Sequence, residues 1–185
     1  MLAIRFIHEP AKISVRDLFA HTWAFRGSSP YADEILNAFD RYPDEPGMWV
    51  IEQDVAIPAQ LAAWMTIYTP QIAATGAVVA VEYDLWPAST KLDKRVNSNR
   101  VRSKNGTGFD YVPDNEHSLK QLHTVDAVAF GCTYIPRTYA KACLPRGGTY
   151  PMLDSQFSEN CRKGGFPMYA IVMHGEYRPV HLHYR

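Results

Sequence analysis

The chain has 185 residues, and its 19 basic and 19 acidic side chains give a formal net charge of zero at pH 7. This balance excludes a strong overall field that would draw the protein to nucleic acid or to an anionic membrane. Apolar residues make up 46% of the chain. No uninterrupted apolar run reaches the roughly 18–20 residues that a membrane span needs. Length and composition therefore predict one folded domain, residues 1–185, without a membrane partner.

Three cysteines are present, Cys132, Cys143 and Cys161, and no two of them form a C-x-x-C pair. Their odd number and wide spacing argue against a disulfide framework and against a cysteine zinc site. Residues 1–12 also lack the layout of a secretory signal peptide. We therefore expect a protein of the reducing cytoplasm. The sequence identifies neither a cofactor nor an oligomeric state.

The first part of the chain predicts two strands and two helices. Leu2 to Ile7 alternates in the manner of a strand. A helix capped by Ser14 is expected to run to about Phe25. A second helix begins at Ser29-Pro30, where a capping side chain precedes a first-turn proline. Met48 to Glu52 then predicts a short strand.

The rest of the chain predicts a mixed succession of elements. Pro58 opens a helix that we expect to end near Tyr68, before Pro70. Ala77 to Leu85 is the strongest strand, and its mostly apolar run is typical of a central position. Further predictions are a short helix at 118–123, a strand at 127–135, a helical turn at 136–143 and a helix at 154–163. This irregular order favours the α+β class, with a mixed or antiparallel sheet and helices mainly on one face.

A β-hairpin is predicted to close the chain, with strands at 168–174 and 177–184 joined by Gly175-Glu176. On the second strand His181 and His183 share one face, with Cα atoms roughly 6.5–7 Å apart. Two imidazoles at this spacing can bind one metal ion or act on one scissile bond. We interpret His181 and His183 as candidate metal ligands and, together with Glu176, as candidate catalytic residues. Candidates for a third group are His8, His117, His123 or a carboxylate.

The segment 87–118 forms a polar excursion whose first part is basic. Six basic side chains and one acidic side chain lie between residues 91 and 104. The basic residues are Lys91, Lys94, Arg95, Arg100, Arg102 and Lys104. Such side chains neutralise phosphates, and the nearby Phe109 and Tyr111 can stack on bases. We call residues 91–104 the basic segment; a hairpin with its turn near Asn105-Gly106 is one form it can take.

The stretch Trp23-Ala24-Phe25-Arg26-Gly27-Ser28-Ser29 resembles the first motif of ADP-ribosyltransferases, in which an Arg helps to hold NAD. The resemblance implies that Arg26 binds NAD, that Ser89-Thr90 belongs to the Ser-Thr-Ser strand of that family, and that Glu176 is the catalytic Glu. The sequence departs from the family at Ala88, where the first Ser is expected, and at His174, where the Glu-x-Glu form has Glu. A break between two helices explains the same stretch equally well.

These patterns support several functions. The leading expectation is a binding protein that contacts a nucleic acid or an acidic protein surface through the basic segment. The first alternative is an enzyme with His181 and His183 in its site, which uses a metal or acid/base chemistry to hydrolyse a phosphate or glycosidic bond. The others are a subunit of a viral or host-takeover assembly and an NAD-dependent ADP-ribosyltransferase-like enzyme.

Overall fold

The fold is given by a computed structural model that describes residues 2–6, 22–25, 31–52, 55–85, 96–102, 109–113, 122–147 and 153–181. The strands in these ranges are β1 (Leu2–Phe6), β2 (Thr22–Phe25), β3 (Gly47–Glu52), β4 (Val55–Ala56), β5 (Val78–Val81), β6 (Asp84–Leu85), β7 (Val96–Arg102), β8 (Phe109–Pro113), β9 (Leu122–Thr124), β10 (Cys132–Pro136), β11 (Met168–Ile171) and β12 (Val180–His181). The α-helices are α1 (Tyr31–Arg41), α2 (Ala59–Thr75), α3 (Arg137–Cys143) and α4 (Leu153–Lys163), and a 3-10 turn spans Gly175–Tyr177.

A mixed sheet of seven strands forms the centre of the fold, in the order β2-β1-β3-β10-β5-β11-β9. β2, β1, β3, β5 and β11 run in one direction, because β10 is antiparallel to both β3 and β5 and the other pairings among these strands are parallel. β9 is antiparallel to β11. Two smaller sheets, β12-β4 and β6-β7-β8, complete the strand pairings. The predicted α+β class with a mixed sheet is confirmed.

The central strands bury both faces, so successive side chains enter different cores. On β3, Met48 and Val50 belong to one apolar cluster, and Trp49 and Ile51 belong to the other. The first cluster is covered by α1, α3 and α4, and the second by α2. Helices therefore lie mainly on one face, as the sequence predicts. None of the described helices combines the length and apolar character that a bilayer crossing requires.

Arg137 joins α1 to the first residues of α3 on the three-helix face. Its guanidinium donates to the main-chain carbonyls of Phe39, Tyr42 and Glu45, and it stacks over the Phe39 ring at 4.9 Å. The carbonyls at the end of a helix have no partner within the helix. A single planar side chain with several donors therefore satisfies the end of α1 and fixes the turn that leads into β3.

The carboxyl ends of the parallel strands meet at one edge of the sheet, and the two small sheets grow from that edge. β4 follows the end of β3, β6 follows the end of β5, and β12 follows β11 after the 3-10 turn. The chain also leaves β1 for β2 on one side and returns to β3 on the other. Ligands of open α/β sheets bind outside the carboxyl ends of strands at such a switch point. This carboxyl edge is therefore the place to look for a site.

Two predictions for the first half of the chain are wrong. Thr22–Phe25 is a strand that pairs in parallel with β1, and so it does not end a helix; residues 14–21 lie outside the described residues. Helix α2 continues past Pro70 to Thr75 and ends where Gly76 takes a positive φ of 61°. The buried side chains of α2 on both sides of Pro70 keep the helix packed on the sheet.

Two further predictions fail before the last helix. Leu122–Thr124 is an edge strand beside β11 and does not form part of a short helix. The strand expected from Ala127 begins only at Cys132. The excursion at 87–118 contains the antiparallel pair of β7 and β8, which confirms the hairpin form. The turn expected at Asn105-Gly106 lies outside the described residues.

The chain closes with two strands around a turn at Gly175, but each strand finds a different neighbour. β11 pairs with β5 and β9 inside the large sheet. β12 pairs with β4, with His181 opposite Val55. The expected pairing of His174 with Tyr177 is replaced by the 3-10 turn, where the Tyr177 N–H donates to the His174 carbonyl at 3.2 Å. The local turn chemistry predicts the bend correctly but not the long-range partners.

Candidate functional site

The tripeptide Glu82-Tyr83-Asp84 leaves the central strand β5 directly at the carboxyl edge. The Glu82 N–H donates to the Ile171 carbonyl at 3.0 Å, so β5 and β11 stay together for one further residue. Tyr83 is 1% exposed, and Asp84 begins β6. Two carboxylates separated by one residue thus follow the end of a buried strand. We call residues 82–84 the carboxylate turn.

Glu82 is buried beside a histidine from the edge of the sheet. The His123 Nε2 atom lies 2.6 Å from the Glu82 Oε1 atom, and the two side chains are only 7% and 2% exposed. His123 reaches this position because β9 is paired with β11, which places His123 opposite Ala170. The pair therefore links the edge strand to the residue that follows the central strand.

The ring of Tyr83 occupies the space above a glycine. A Cβ atom built on Gly131 would lie 2.1 Å from the Tyr83 hydroxyl oxygen and 2.3 Å from the adjoining ring carbon. Any other residue at position 131 would displace the ring, because real Cβ contacts are never so short. Gly131 thus permits the close approach that buries Tyr83 and fixes the middle of the carboxylate turn.

Strand β6 brings the segments with candidate chemistry together. Asp84 is paired with Asn97 of β7, which lies within the basic segment. β12, which carries His181, packs against β6 as well as pairing with β4. A carboxylate residue, a histidine residue and residues 96–102 of the basic segment therefore lie on neighbouring strands just outside the carboxyl edge of the large sheet. Their order along the chain gives no indication of this proximity.

The other predicted site residues are distributed as follows. In the β7–β8 hairpin Arg100 is paired with Tyr111, and Arg102 with Phe109. Glu176 is exposed in the 3-10 turn, where its carboxylate accepts a hydrogen bond from the Gln60 Nε2 atom at 3.0 Å. Lys91, Lys94, Arg95, Lys104, His183, His8 and His117 lie outside the described residues.

Within the described residues, no group of three His, Cys, Asp or Glu side chains is arranged to hold a metal ion. Hard cations such as Mg²⁺ commonly take only one or two carboxylates from the protein and fill their remaining positions with phosphate oxygens and water. A carboxylate on β6 is the residue type that such a site uses, and a neighbouring imidazole extends the choice to transition-metal ions. Asp84 offers a carboxylate, and His181 offers an imidazole on the adjacent strand.

The cysteines lie in the cores and away from the carboxylate turn. Cys132 is buried in β10, as expected for a core residue. Burial raises the pKa of the Cys143 and Cys161 thiols on α3 and α4. A neutral, buried thiol is a poor nucleophile. Thiol chemistry is therefore not part of this site.

Sequence reasoning missed the carboxylate turn. One signal was present: the apolar run from Ala77 is broken by Glu82, and a charged residue at the end of a buried strand needs a partner. The sequence suggests His123 only as a possible companion of His181. The pairing of β9 with β11, which places His123 beside Glu82, leaves no local pattern in the sequence.

In sequence, the chain matches no protein-family model and no curated protein. In structure, it is similar to A197 from STIV, a viral protein, with a TM-score of 0.64 and 13% identity over 100% of this chain and 94% of A197. It is also similar to GalNAc-T7 in a crystal structure with UDP, GalNAc and Mn²⁺, with a TM-score of 0.52 and 10% identity. That match covers 88% of this chain and 32% of GalNAc-T7. At these identities the likeness shows a shared fold.

Proposed function

We propose that the protein binds a nucleoside-diphosphate sugar together with a divalent cation at the carboxyl edge and transfers the sugar to an acceptor. The observation that carries the proposal is the position of β6, which begins at Asp84, the last residue of the carboxylate turn, pairs with β7 and contacts β12. A carboxylate can bind a cation that bridges to phosphate, an imidazole can add a nitrogen ligand, and basic side chains can neutralise the phosphate oxygens.

Asp84 and His181 are the proposed cation ligands. Glu82 is buried against His123, and so its carboxylate is already engaged inside the protein. Asp84 is the second acid of the turn, and His181 is carried by the strand packed against β6. The diphosphate would complete the coordination shell, as is usual for cations bound at nucleotide phosphates.

The basic segment is the proposed contact for the remaining phosphate charge. Its strand β7 is paired with β6 at Asp84↔Asn97 and Leu85↔Val96. Arg and Lys side chains recognise phosphate oxygens through charge-assisted hydrogen bonds. We expect the basic side chains of residues 91–104 to contact the diphosphate beside the proposed cation.

The fold gives independent support. GalNAc-T7, which shares it, carries UDP, GalNAc and Mn²⁺ in its crystal structure. Open sheets of this kind bind ligands outside the carboxyl ends of their strands. These two points favour a sugar nucleotide over other phosphate-bearing ligands, and they favour the carboxyl edge over other surfaces.

The proposed reaction forms one bond and breaks one. An acceptor hydroxyl oxygen attacks the anomeric carbon, the bond from that carbon to the diphosphate oxygen breaks, and the hydroxyl proton passes to a base. A cation bound at the diphosphate supplies charge neutralisation to the departing group. The basic segment would add to that stabilisation, because the negative charge on the diphosphate increases as the bond breaks.

The test is a calorimetric titration of UDP into the protein with and without Mn²⁺. We expect UDP binding that depends on Mn²⁺, and a loss of about 100-fold in affinity for Asp84→Asn because a charged ligand is removed. His181→Ala should weaken binding in the same direction. Glu159→Gln is the matched control, since Glu159 lies on α4 and pairs with Arg162 away from the carboxyl edge. Equal affinities for wild type and Asp84→Asn would overturn the proposal.

A second candidate is the binding of a nucleic acid or an acidic protein through the basic segment. Its support is the position of that segment, part of which forms β7 in the three-stranded sheet β6-β7-β8. Neutralising Lys94, Arg95, Arg100 and Arg102 together should weaken the binding of a single-stranded oligonucleotide and flatten its salt dependence. If the same change lowers only the affinity for UDP, the diphosphate is the ligand of the segment.

The remaining alternatives stay proposals with less support. A role in a viral assembly is favoured by the likeness to A197, a viral protein. An ADP-ribosyltransferase-like activity would need NAD near Arg26, Ser89 and Glu176, of which only Glu176 lies among the described residues. Catalysis by Glu176 and metal binding by His183 are further proposals with less support than the sugar-nucleotide site. Titration with NAD in place of UDP separates these enzymes from the sugar-nucleotide proposal.

A further inference from the structure

We propose that His123 is a positioning residue, which through Glu82 holds the carboxylate turn in the conformation that presents Asp84 to the cation. The inference rests on the proposed function, because Asp84 is the cation ligand only there. The edge strand β9 would then act on the site indirectly, through Glu82, and not by contact with the ligand.

The turn before Asp84 is held by contacts with β11, with β9 and with Gly131. The main chain of Glu82 is bonded to Ile171, and its carboxylate lies 2.6 Å from the His123 imidazole. The Tyr83 ring is seated over Gly131. The pair of Glu82 and His123 joins the turn to β9 through side chains. Removing it would take away the side-chain contact between the turn and this edge strand.

The energetics of burial argue that this pair serves more than stability. Taking a carboxylate and an imidazole out of water is costly, and well-packed apolar residues of similar size often stabilise a protein as well or better. Both side chains are almost fully buried, so neither can touch a bound nucleotide. We infer that this pair, which lies next to the candidate site, acts on it through the residues that follow Glu82.

The expected effect is that of an outer-shell group on a metal site. Residues that orient a metal ligand without touching the metal typically change metal affinity by about 10–100-fold when they are replaced. Loss of His123 would remove its contact with the Glu82 carboxylate, and we expect the main chain of residues 83–85 to open more often as a result. The affinity for the cation would fall, while UDP binding without the cation would not change.

The experiment compares His123→Gln, Glu82→Gln, the double variant of both, and the paired apolar variant Glu82→Leu/His123→Leu. Thr124→Ala is the control, because Thr124 is the exposed neighbour of His123 on β9. Two quantities are measured: amide hydrogen exchange at residues 83–85 in the ligand-free protein, and Mn²⁺-dependent UDP affinity. The melting temperature shows whether each variant is folded. The paired apolar variant leaves no unpaired buried polar group at these two positions, so it can still be tested if a single variant fails to fold.

We expect each single variant to speed exchange at residues 83–85 by about tenfold or more and to weaken Mn²⁺-dependent UDP binding by about 10–100-fold. The Gln/Gln double variant should lose no more affinity than either single variant, because the residues act as a unit. The paired apolar variant should melt within about 4 °C of the wild type, a shift worth roughly 1 kcal/mol at this size, and still lose affinity.

Unchanged exchange at residues 83–85 in folded variants would overturn the positioning role, whatever the ligand. Wild-type affinity in the paired apolar variant would overturn it as well. If exchange rises but the wild type shows no Mn²⁺-dependent UDP binding, the proposed function fails while the positioning of the turn stands. The two ideas can therefore fail separately.

Discussion

Tyr134 illustrates how a single buried residue sets a property of the whole protein. It lies in the middle of β10, is fully buried, and meets the Trp49 ring edge-on at 5.6 Å between centroids. Burial, and to a lesser degree the charge of Glu45, raises the pKa of Tyr134 to about 12. An unfolded tyrosine ionises near pH 10. The folded state therefore resists an ionisation that the unfolded state accepts.

This difference predicts a loss of stability in alkali. Tyr134 contributes its full share below pH 10, and the share is lost as the pH rises from 10 towards 12. At pH 11.5 the free energy of unfolding should have fallen by about 2 kcal/mol from this residue alone. Tyr134→Phe keeps the ring and removes the ionising group. Urea unfolding at pH 9 and pH 11.5 should show that much less decline in the variant than in the wild type.

Tyr177→Phe is the control for that measurement, since Tyr177 is exposed in the 3-10 turn. It should decline with pH as the wild type does. An equal decline in Tyr134→Phe and wild type would show that ionisation of this buried hydroxyl does not limit alkaline stability.

For single residues, the sequence predicts whether a side chain is buried better than it predicts which side chain it contacts. The apolar run at 77–85 predicts a central strand, and Val78 to Val81 is fully buried there. The contact between Glu82 and His123 depends on the order of the strands in the sheet. No spacing of residues in the sequence predicts it. Residue-level chemistry of this kind becomes visible only when long-range pairing is known.

Helix α2 is the element whose behaviour departs most from its local signals. It contains no charged residue and carries Pro70 in its interior, yet it continues to Thr75. Proline cannot donate to the carbonyl four residues earlier, which costs about 3 kcal/mol inside a helix. Burial of Met65 and Ile72 on either side, and the hydrogen bond from Trp49 Nε1 to the Thr69 hydroxyl at 2.9 Å, hold the two halves on the sheet.

Pro70→Ala should therefore stabilise the protein. Position 70 is exposed, so the change restores a main-chain hydrogen bond without disturbing the core. Part of the gain is offset because the unfolded chain becomes more flexible. We expect the free energy of unfolding to rise by about 1–2 kcal/mol in a urea titration. The control Gln71→Ala, at the next exposed position, should change it little. A destabilised Pro70→Ala would mean that the proline is needed where it is.

Elements at both ends of the chain show why local patterns were insufficient. The spacing of apolar residues before Phe25 suits a helix, but Thr22–Phe25 gains more by completing the sheet beside β1. The C-terminal residues have the turn chemistry of a hairpin, but β11 is held between β5 and β9, and β12 pairs with β4. In both cases non-local strand pairing overrides a local preference.

At the scale of the whole molecule, the fold brings segments that are far apart in the sequence onto neighbouring strands. The basic segment and His181 were each recognisable from the chain alone, and each supported a different function when considered separately. β7, which is part of the basic segment, pairs with β6 at Asp84, and β12, which carries His181, contacts β6. The proposed site for a cation and a diphosphate would draw on both features.

The most direct test of that site is the location of Mn²⁺ in crystals grown with UDP and MnCl₂, identified by anomalous scattering. The proposed function predicts a single strong peak beside Asp84 at the carboxyl edge, next to the diphosphate, and no such peak in crystals of Asp84→Asn. UDP bound elsewhere on the protein, or a peak distant from β6, would contradict it.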